Sequence, residues 1–200
     1  MEASPSTRDH IIQGARVVFA EKGFRASMRD IARAAGISTT SLIFWYFKDK
    51  EALFLAVVED SSPLSQAQQL LTAMSNTVSS ADIIRHLVHV YYNVYGDPLN
   101  RQILFQMLSH TTWHPKISTL LKTQLSDVTA GRMVAVIVAG QNSGEFRRDL
   151  APDFAAQAVL GILFALVTRW HVDGHSPWPE QEVADDILTM LGYQIQDPSE

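Results

Sequence analysis

Ser27 to Leu53 reads SMRDIARAAGISTTSLIFWYFKDKEAL, and this stretch decides the fold. Ser27-x-x-Asp30 has the form of a capping box and starts a short helix, which Gly36 stops. A second short helix begins within Ser38-Thr39-Thr40-Ser41 and runs to about Phe47. Ala32 and Ala35 permit a close helix crossing, while Ile31, Ile37 and Leu42 or Ile43 fill the core behind it. Two short helices joined through Ala35-Gly36-Ile37 form the pattern of a helix-turn-helix, whose second helix is normally presented to the major groove of DNA.

Helices are predicted on both sides of this unit. Ser6 or Thr7 caps a first helix with Ile11, Ala15, Val18 and Phe19 on one face, and Gly23 ends it in the left-handed conformation. Asp49 caps a fourth helix that opens Lys50-Glu51-Ala52-Leu53. Proline punctuates the remainder. Pro63 breaks or restarts a helix, and Asp97-Pro98 and His114-Pro115 are starts. A long helix is expected from Pro115 to about Gly140, another from Pro152 to about His171, and a last one from Pro179 to about Gly192. No stretch alternates with period two, so the fold class is all-α, with nine or ten helices.

The charge distribution points the same way. The net charge is −5, but residues 1–50 carry eight Lys or Arg against five acids, a local +3. The other 150 residues carry eight against sixteen, or −8. A basic head on an acidic body fits a small DNA-binding module, because phosphate contacts supply most sequence-independent affinity. Hydrophobic residues make up 46% and charged residues 18%, enough to bury a core. The absence of cysteine removes disulfides and cysteine-ligated zinc. The N-terminus lacks the apolar run of a signal peptide, and the apolar stretch from Ala155 to Val167 falls short of the ~20 residues that span a bilayer. A cytoplasmic protein is expected.

Within the head, Arg29 lies in the first turn of the second helix and Arg33 one turn later. The hydroxyls of Thr39, Thr40 and Ser41 open the third helix, where base edges and phosphates are met. Lys48 and Lys50 follow it, placed for phosphates. Phe44, Trp45 and Phe47 read first as packing residues of a small core.

Residues 8–54 resemble the N-terminal domain of the tetracycline-repressor (TetR) family of bacterial transcription regulators. The resemblance rests on Ile31-Ala32, Ala34-Ala35-Gly36-Ile37-Ser38, Phe44-Trp45-Tyr46-Phe47 and Lys48-x-Lys50-Glu51-x-Leu53. It implies a DNA-binding domain at 1–49 and a helical ligand-binding and dimerisation domain at 50–200. It also implies a DNA-contacting set of Arg29, Ser38, Thr39, Thr40, Ser41, Phe44, Tyr46, Lys48 and Lys50. One residue more than the family usual stands between Gly36-Ile37 and Phe47, so the register of residues 39–42 differs with the end it is counted from.

The segment Phe154 to Trp170 is apolar nearly all round, with Ala158, Gly161 and Ala165 on one stripe. Such a helix needs cover on all sides: its own domain covers one side and a second copy of the chain the other, the alternative being that it and the last helix are both core of a single chain. Ala158, Gly161, Ile162, Ala165, Ile187 and Leu191 are therefore the expected contacts of a homodimer, as the resemblance also implies. In the middle of the chain, His86, His89, Tyr92, Gln102, Phe105, His110 and Trp113 are the candidate residues for a small, largely apolar effector. The pairs His86/His89, His110/His114 and His171/His175 have helical spacing for metal ligands but no evident acidic partner, so no metal or cofactor is expected.

Neither G-x-S-x-G, a phosphate-binding glycine loop nor H-E-x-x-H occurs, so an enzyme is not expected. The expected function is a regulator, most often a repressor in this family, released from a pseudo-palindromic DNA operator by its ligand. The alternative is a ligand-independent helix-turn-helix regulator or architectural DNA-binding protein. Arg29→Ala or Lys50→Ala should weaken DNA binding with little loss of fold, and Gly161→Leu should disrupt dimerisation.

Overall fold

The computed structural model describes residues 6–63, 78–110, 114–123 and 130–194. Ten α-helices and no strands occur among them. They are α1 (Thr7–Lys22), α2 (Met28–Ala34), α3 (Thr40–Tyr46), α4 (Lys50–Asp60), α5 (Ser80–Tyr95), α6 (Pro98–His110), α7 (Pro115–Lys122), α8 (Gly131–Ser143), α9 (Pro152–Asp173) and α10 (Glu180–Met190). The described parts of the expected helix from Pro115 to Gly140 are α7 and the first turns of α8; residues 124–129 lie outside the described residues.

The helix starts follow local side-chain chemistry. Ser6 Oγ accepts from the Asp9 backbone N–H while Asp9 accepts from Ser6, and Ser27 and Asp30 form the same capping box for α2. Hydrogen bonds from Ser27 hold the Asp30 carboxyl below its usual range. Asp49 Oδ1 accepts from the Ala52 N–H at 2.7 Å and starts α4. Asp97 Oδ1 accepts from the Leu99 N–H at 2.8 Å and starts α6 behind Pro98.

Two compact units result. The first comprises residues 1–65 and 97–118, the second 66–96 and 119–200. In contact terms α4 and α6 belong with the helix-turn-helix, so this grouping does not follow the linear division between residues 49 and 50.

In the first unit α1 packs on α2, α4 and α6. Ile11, Phe19, Ile31, Ile43, Leu53, Phe54 and Ile103 are fully buried there. The Phe54 ring meets Phe19 and Phe24 edge-on, with centroids 5.1 and 4.9 Å apart. Arg16 on α1 donates to Asn100 Oδ1 at 3.0 Å and pairs with Asp97, which fastens the start of α6 to α1. Gly23 has a positive φ of 55°, but its ψ of −142° lies outside the expected left-handed helical region. The positive φ is what calls for glycine in the turn after α1; a β-carbon there would stand 2.3 Å from Gln106 Oε1, the end of a side chain that can move aside.

In the second unit α8 packs on α5 and α9, and α10 on α5. The core includes Ile84, Val88, Ile137, Val159, Leu163, Ile187, Leu188 and Leu191. At 22 residues, α9 extends beyond the apolar stretch at 155–167 and is long and apolar enough to cross a membrane by length and composition. Its Ala155, Ala156, Val159, Leu163, Leu166 and Val167 are nevertheless buried.

Candidate nucleic-acid interface

The start of α3 decides what it can present. Thr39 is its N-cap, with extended backbone and Oγ1 accepting from the Ser41 N–H at 3.2 Å. Gly36 to Thr39 therefore form the turn, and Thr40 is the first helical residue. Ile43 and Phe47, four residues apart, are buried against the first unit. Ser41, Phe44 and Trp45 stand at i, i+3 and i+4 on the opposite face, all exposed. Thr40 and Tyr46 are half-buried beside them, and Ser38 is exposed in the turn.

This arrangement corrects the packing expectation for two aromatics. Phe44 is 50% exposed and Trp45 is 76% exposed, whereas Phe47 is core. The cause is geometric: a two-turn helix resting on one layer buries only one stripe, and residues 43 and 47 occupy it. The Trp45 ring meets the Tyr46 ring edge-on with centroids 4.6 Å apart. Arg29, Arg33 and Lys48 are also exposed. Arg33 lies 4.0 Å from Asp30, a distance at which an exposed pair contributes little. Lys116 Nζ sits 2.8 Å from Glu51 Oε2 and 3.6 Å from Asp49 Oδ2, which offsets acidic charge at the start of α4.

Lys50, an expected phosphate contact, also has a structural role. Its Nζ donates to the carbonyl oxygens of Phe24 (2.6 Å) and Ala26 (3.2 Å), and lies 5.5 Å from the Phe24 ring centroid. The ammonium thus satisfies carbonyls of the turn between α1 and α2. Lys50→Ala is expected to destabilise the first unit by about 1.5–3 kcal/mol, the range for losing hydrogen bonds to a charged group. Arg29→Ala should weaken DNA binding with an unchanged melting curve. Comparing the two melting curves checks the distinction, and equal stabilities would refute this role for Lys50. Little loss of fold is therefore still expected for exposed Arg29 and no longer for Lys50.

The same turn is held from α6. The Phe24 N–H donates to His110 Nε2 at 3.4 Å, and the Phe24 ring stacks on His114 with centroids 4.1 Å apart. Burial, then His114 and Lys50, hold the His110 imidazole below its usual range, consistent with a neutral ring that accepts this hydrogen bond. A histidine with a depressed folded pKa contributes stability that is fully present above the unfolded value of about 6.5. That contribution is lost as pH falls from there through the folded value. The first unit should therefore lose stability as pH falls below about 6.5, and His110→Gln should flatten this dependence. Parallel slopes in the two proteins would contradict it.

A helix-turn-helix with an exposed outward face on α3 is the arrangement of a known family. Residues 11–57 match the model of the bacterial regulatory proteins, tetR family, and residues 65–191 match the YsiA-like protein, C-terminal region. The transcriptional repressor NicS of Pseudomonas putida is 30% identical over 167 residues, covering 82% of this chain and 77% of NicS. The chain belongs to the TetR family. It is a DNA-binding transcriptional regulator. Among solved structures, the fatty acid degradation regulator FadR of Bacillus halodurans is similar with a TM-score of 0.74, at 21% identity over 95% of this chain and 96% of that one. FadR of Bacillus subtilis, in complex with stearoyl-CoA, is similar with a TM-score of 0.71, at 20% identity over 91% and 96%. At these identities the structures show a shared fold.

The expected effector residues of this TetR-family regulator fall into separate groups. His86, His89 and Tyr92 lie on α5 in the second unit, Gln102, Phe105 and His110 on α6 in the first, and Trp113 outside the described residues. His89 is exposed, with Nδ1 2.9 Å from Glu180 Oε1, and the Tyr92 hydroxyl donates to the Trp178 carbonyl at 2.8 Å. With His110 holding the α1–α2 turn, these three have structural partners that sequence spacing could not reveal. Half-buried His86 differs: its Nε2 is buried without a hydrogen-bond partner among the described residues. Burial, then His89, hold its imidazole below the usual range. Among the described residues no three His, Cys, Asp or Glu group as metal ligands would.

The expected dimer residues also divide. Gly161, Ile162 and Ala165 are exposed on α9 and Ala158 is half-buried, in line with exposed Phe154 and Val172. A β-carbon at Gly161 would meet nothing within 4 Å. Ile187 and Leu191 are corrected: they are 1% and 0% exposed in the core of their own unit and have no surface to offer a second copy. The outward face of α10 instead carries Glu182 and Asp186.

Proposed function

We infer that this regulator acts in the cytoplasm as a homodimer, represses from a pseudo-palindromic operator, and is released by a small, largely apolar ligand. The observation that carries the dimer is the exposed apolar stripe of α9, from Phe154 through Gly161 and Ala165 to Val172. A two-fold axis beside that stripe covers it with its own counterpart and gives the DNA-bound form two α3 helices. Residues 1–49 form the DNA-reading part and residues 50–200 the sensing and dimerising part. Arg29 and the outward side chains of α3 contact DNA, with Lys48 on phosphate.

The fold found here holds stearoyl-CoA in the B. subtilis FadR, which supports an effector that is mostly apolar. His86, with an unpartnered ring nitrogen beside the apolar core, is the polar group favoured to orient it. Ligand binding favours an arrangement of the two heads that no longer fits two major grooves. A difference of a few kcal/mol between the two arrangements is enough to empty most of the operator.

Fluorescence polarisation of an operator duplex, titrated with fatty acids, acyl-CoA thioesters, aromatic acids and sugar phosphates, tests this. The apolar classes are expected to weaken binding at least tenfold. Release by the highly charged sugar phosphates alone would overturn the ligand class. Unaltered binding with all four would favour the ligand-independent regulator.

A further inference from the structure

The side chains of α3 are Thr40, Ser41, Leu42, Ile43, Phe44, Trp45 and Tyr46, with no charged residue and no amide. This composition limits how the helix can read bases. Guanine is recognised in the major groove by bidentate Arg or Lys, and adenine by bidentate Asn or Gln. None of these is available on α3, and Arg29, Arg33 and Lys48 flank it rather than belong to it. What α3 projects is the Ser41 hydroxyl and two large exposed rings, Phe44 and Trp45. The thymine C5-methyl is the apolar group that the base pairs present in the major groove.

We propose that Phe44 and Trp45 specify the operator by packing on thymine methyl groups, so that each half-site is selected by its thymines. This rests on the DNA-binding reading and names the chemistry of its site. Trp45 becomes a specificity residue, its ring edge-on to Tyr46. Arg29, Arg33 and Lys48 supply phosphate affinity and carry little of the sequence preference.

The test begins with binding-site selection by the full-length protein from a library of random duplexes. Thymines are expected at recurrent positions in both halves of the enriched site. Each is then replaced by deoxyuridine, which removes the methyl group and keeps Watson–Crick pairing. Affinity should fall about fourfold per contacted methyl, the equivalent of one buried methylene. Trp45→Ala and Phe44→Ala, at exposed positions where melting should not change, should bind the thymine site more weakly. Each should also have lost sensitivity to deoxyuridine at the methyls its ring contacts. Equal wild-type affinity for thymine and deoxyuridine sites would overturn the proposal. So would a Trp45→Ala loss that is uniform across sequences, since the ring would then rest on the sugar–phosphate backbone. Failure to enrich any sequence would overturn the DNA-regulator reading along with it, a result distinct from an enriched site that ignores the methyls.

Discussion

Gly14→Ala is expected to destabilise the DNA-reading unit by about 1–3 kcal/mol or more and to abolish operator binding. An added β-carbon would stand 2.5 Å from the Ala35 nitrogen and 2.7 Å from its Cα and Cβ. The obstacle is backbone, so no side-chain rotation relieves it, and α1 must move away from the end of α2. That crossing sets the helix-turn-helix against α1, so the displacement also tilts α3. The sign is informative, because Gly→Ala within a helix ordinarily stabilises by up to about 1 kcal/mol. Thermal melting, at roughly 4–8 °C per kcal/mol for a small unit, reads the effect directly. An unchanged or raised melting temperature would mean that the close approach of α1 to Ala35 is wrong.

Gly161→Arg should act in the opposite manner, leaving the protomer folded and separating the dimer. The β-carbon meets open space within the chain, and arginine is a better helix former than glycine. On the proposed two-fold seam, however, a charged side chain would face its own copy across a stripe of Ala158, Ile162 and Ala165. Light scattering should report monomers with unchanged helical content. Operator affinity should drop by about 10²–10⁴, the advantage lost when two linked half-site contacts become independent. A variant that stays dimeric and binds DNA normally would place the interface elsewhere.

The fold was largely legible because its punctuation is local. The Ser27/Asp30 box, the Asp49 cap and the Asp97-Pro98 start are each written within four residues, and each forms as spelled. What the sequence left open depended on partners distant along the chain. Ser38 and Thr39 are both competent caps, and only the folded turn selects Thr39, which in turn directs Phe44 and Trp45 outward. The general tendency of aromatics to be buried pointed the other way, although the spacing of 43 and 47 against 41, 44 and 45 contained the answer.

The position of Lys50 suits a phosphate contact, and nothing local shows its second role, because the carbonyls it binds lie 26 and 24 residues earlier. The amphipathic pattern of α10 identified Ile187 and Leu191 as buried without saying by what, and their own unit covers them. Likewise, nothing local in α6 shows that it belongs with α1. That association rests on Arg16 reaching Asp97 and Asn100, more than eighty residues away.

Footprinting on the DNA flanking the protein's own gene tests whether the dimer reads a two-fold operator. Two symmetric half-sites about one helical turn (10–10.5 base pairs), or a multiple of it, apart should be protected. That protection should disappear in the Arg29→Ala protein at matched salt. Absence of sequence-specific protection at any salt concentration, or a single protected half-site with the wild-type protein, would contradict it.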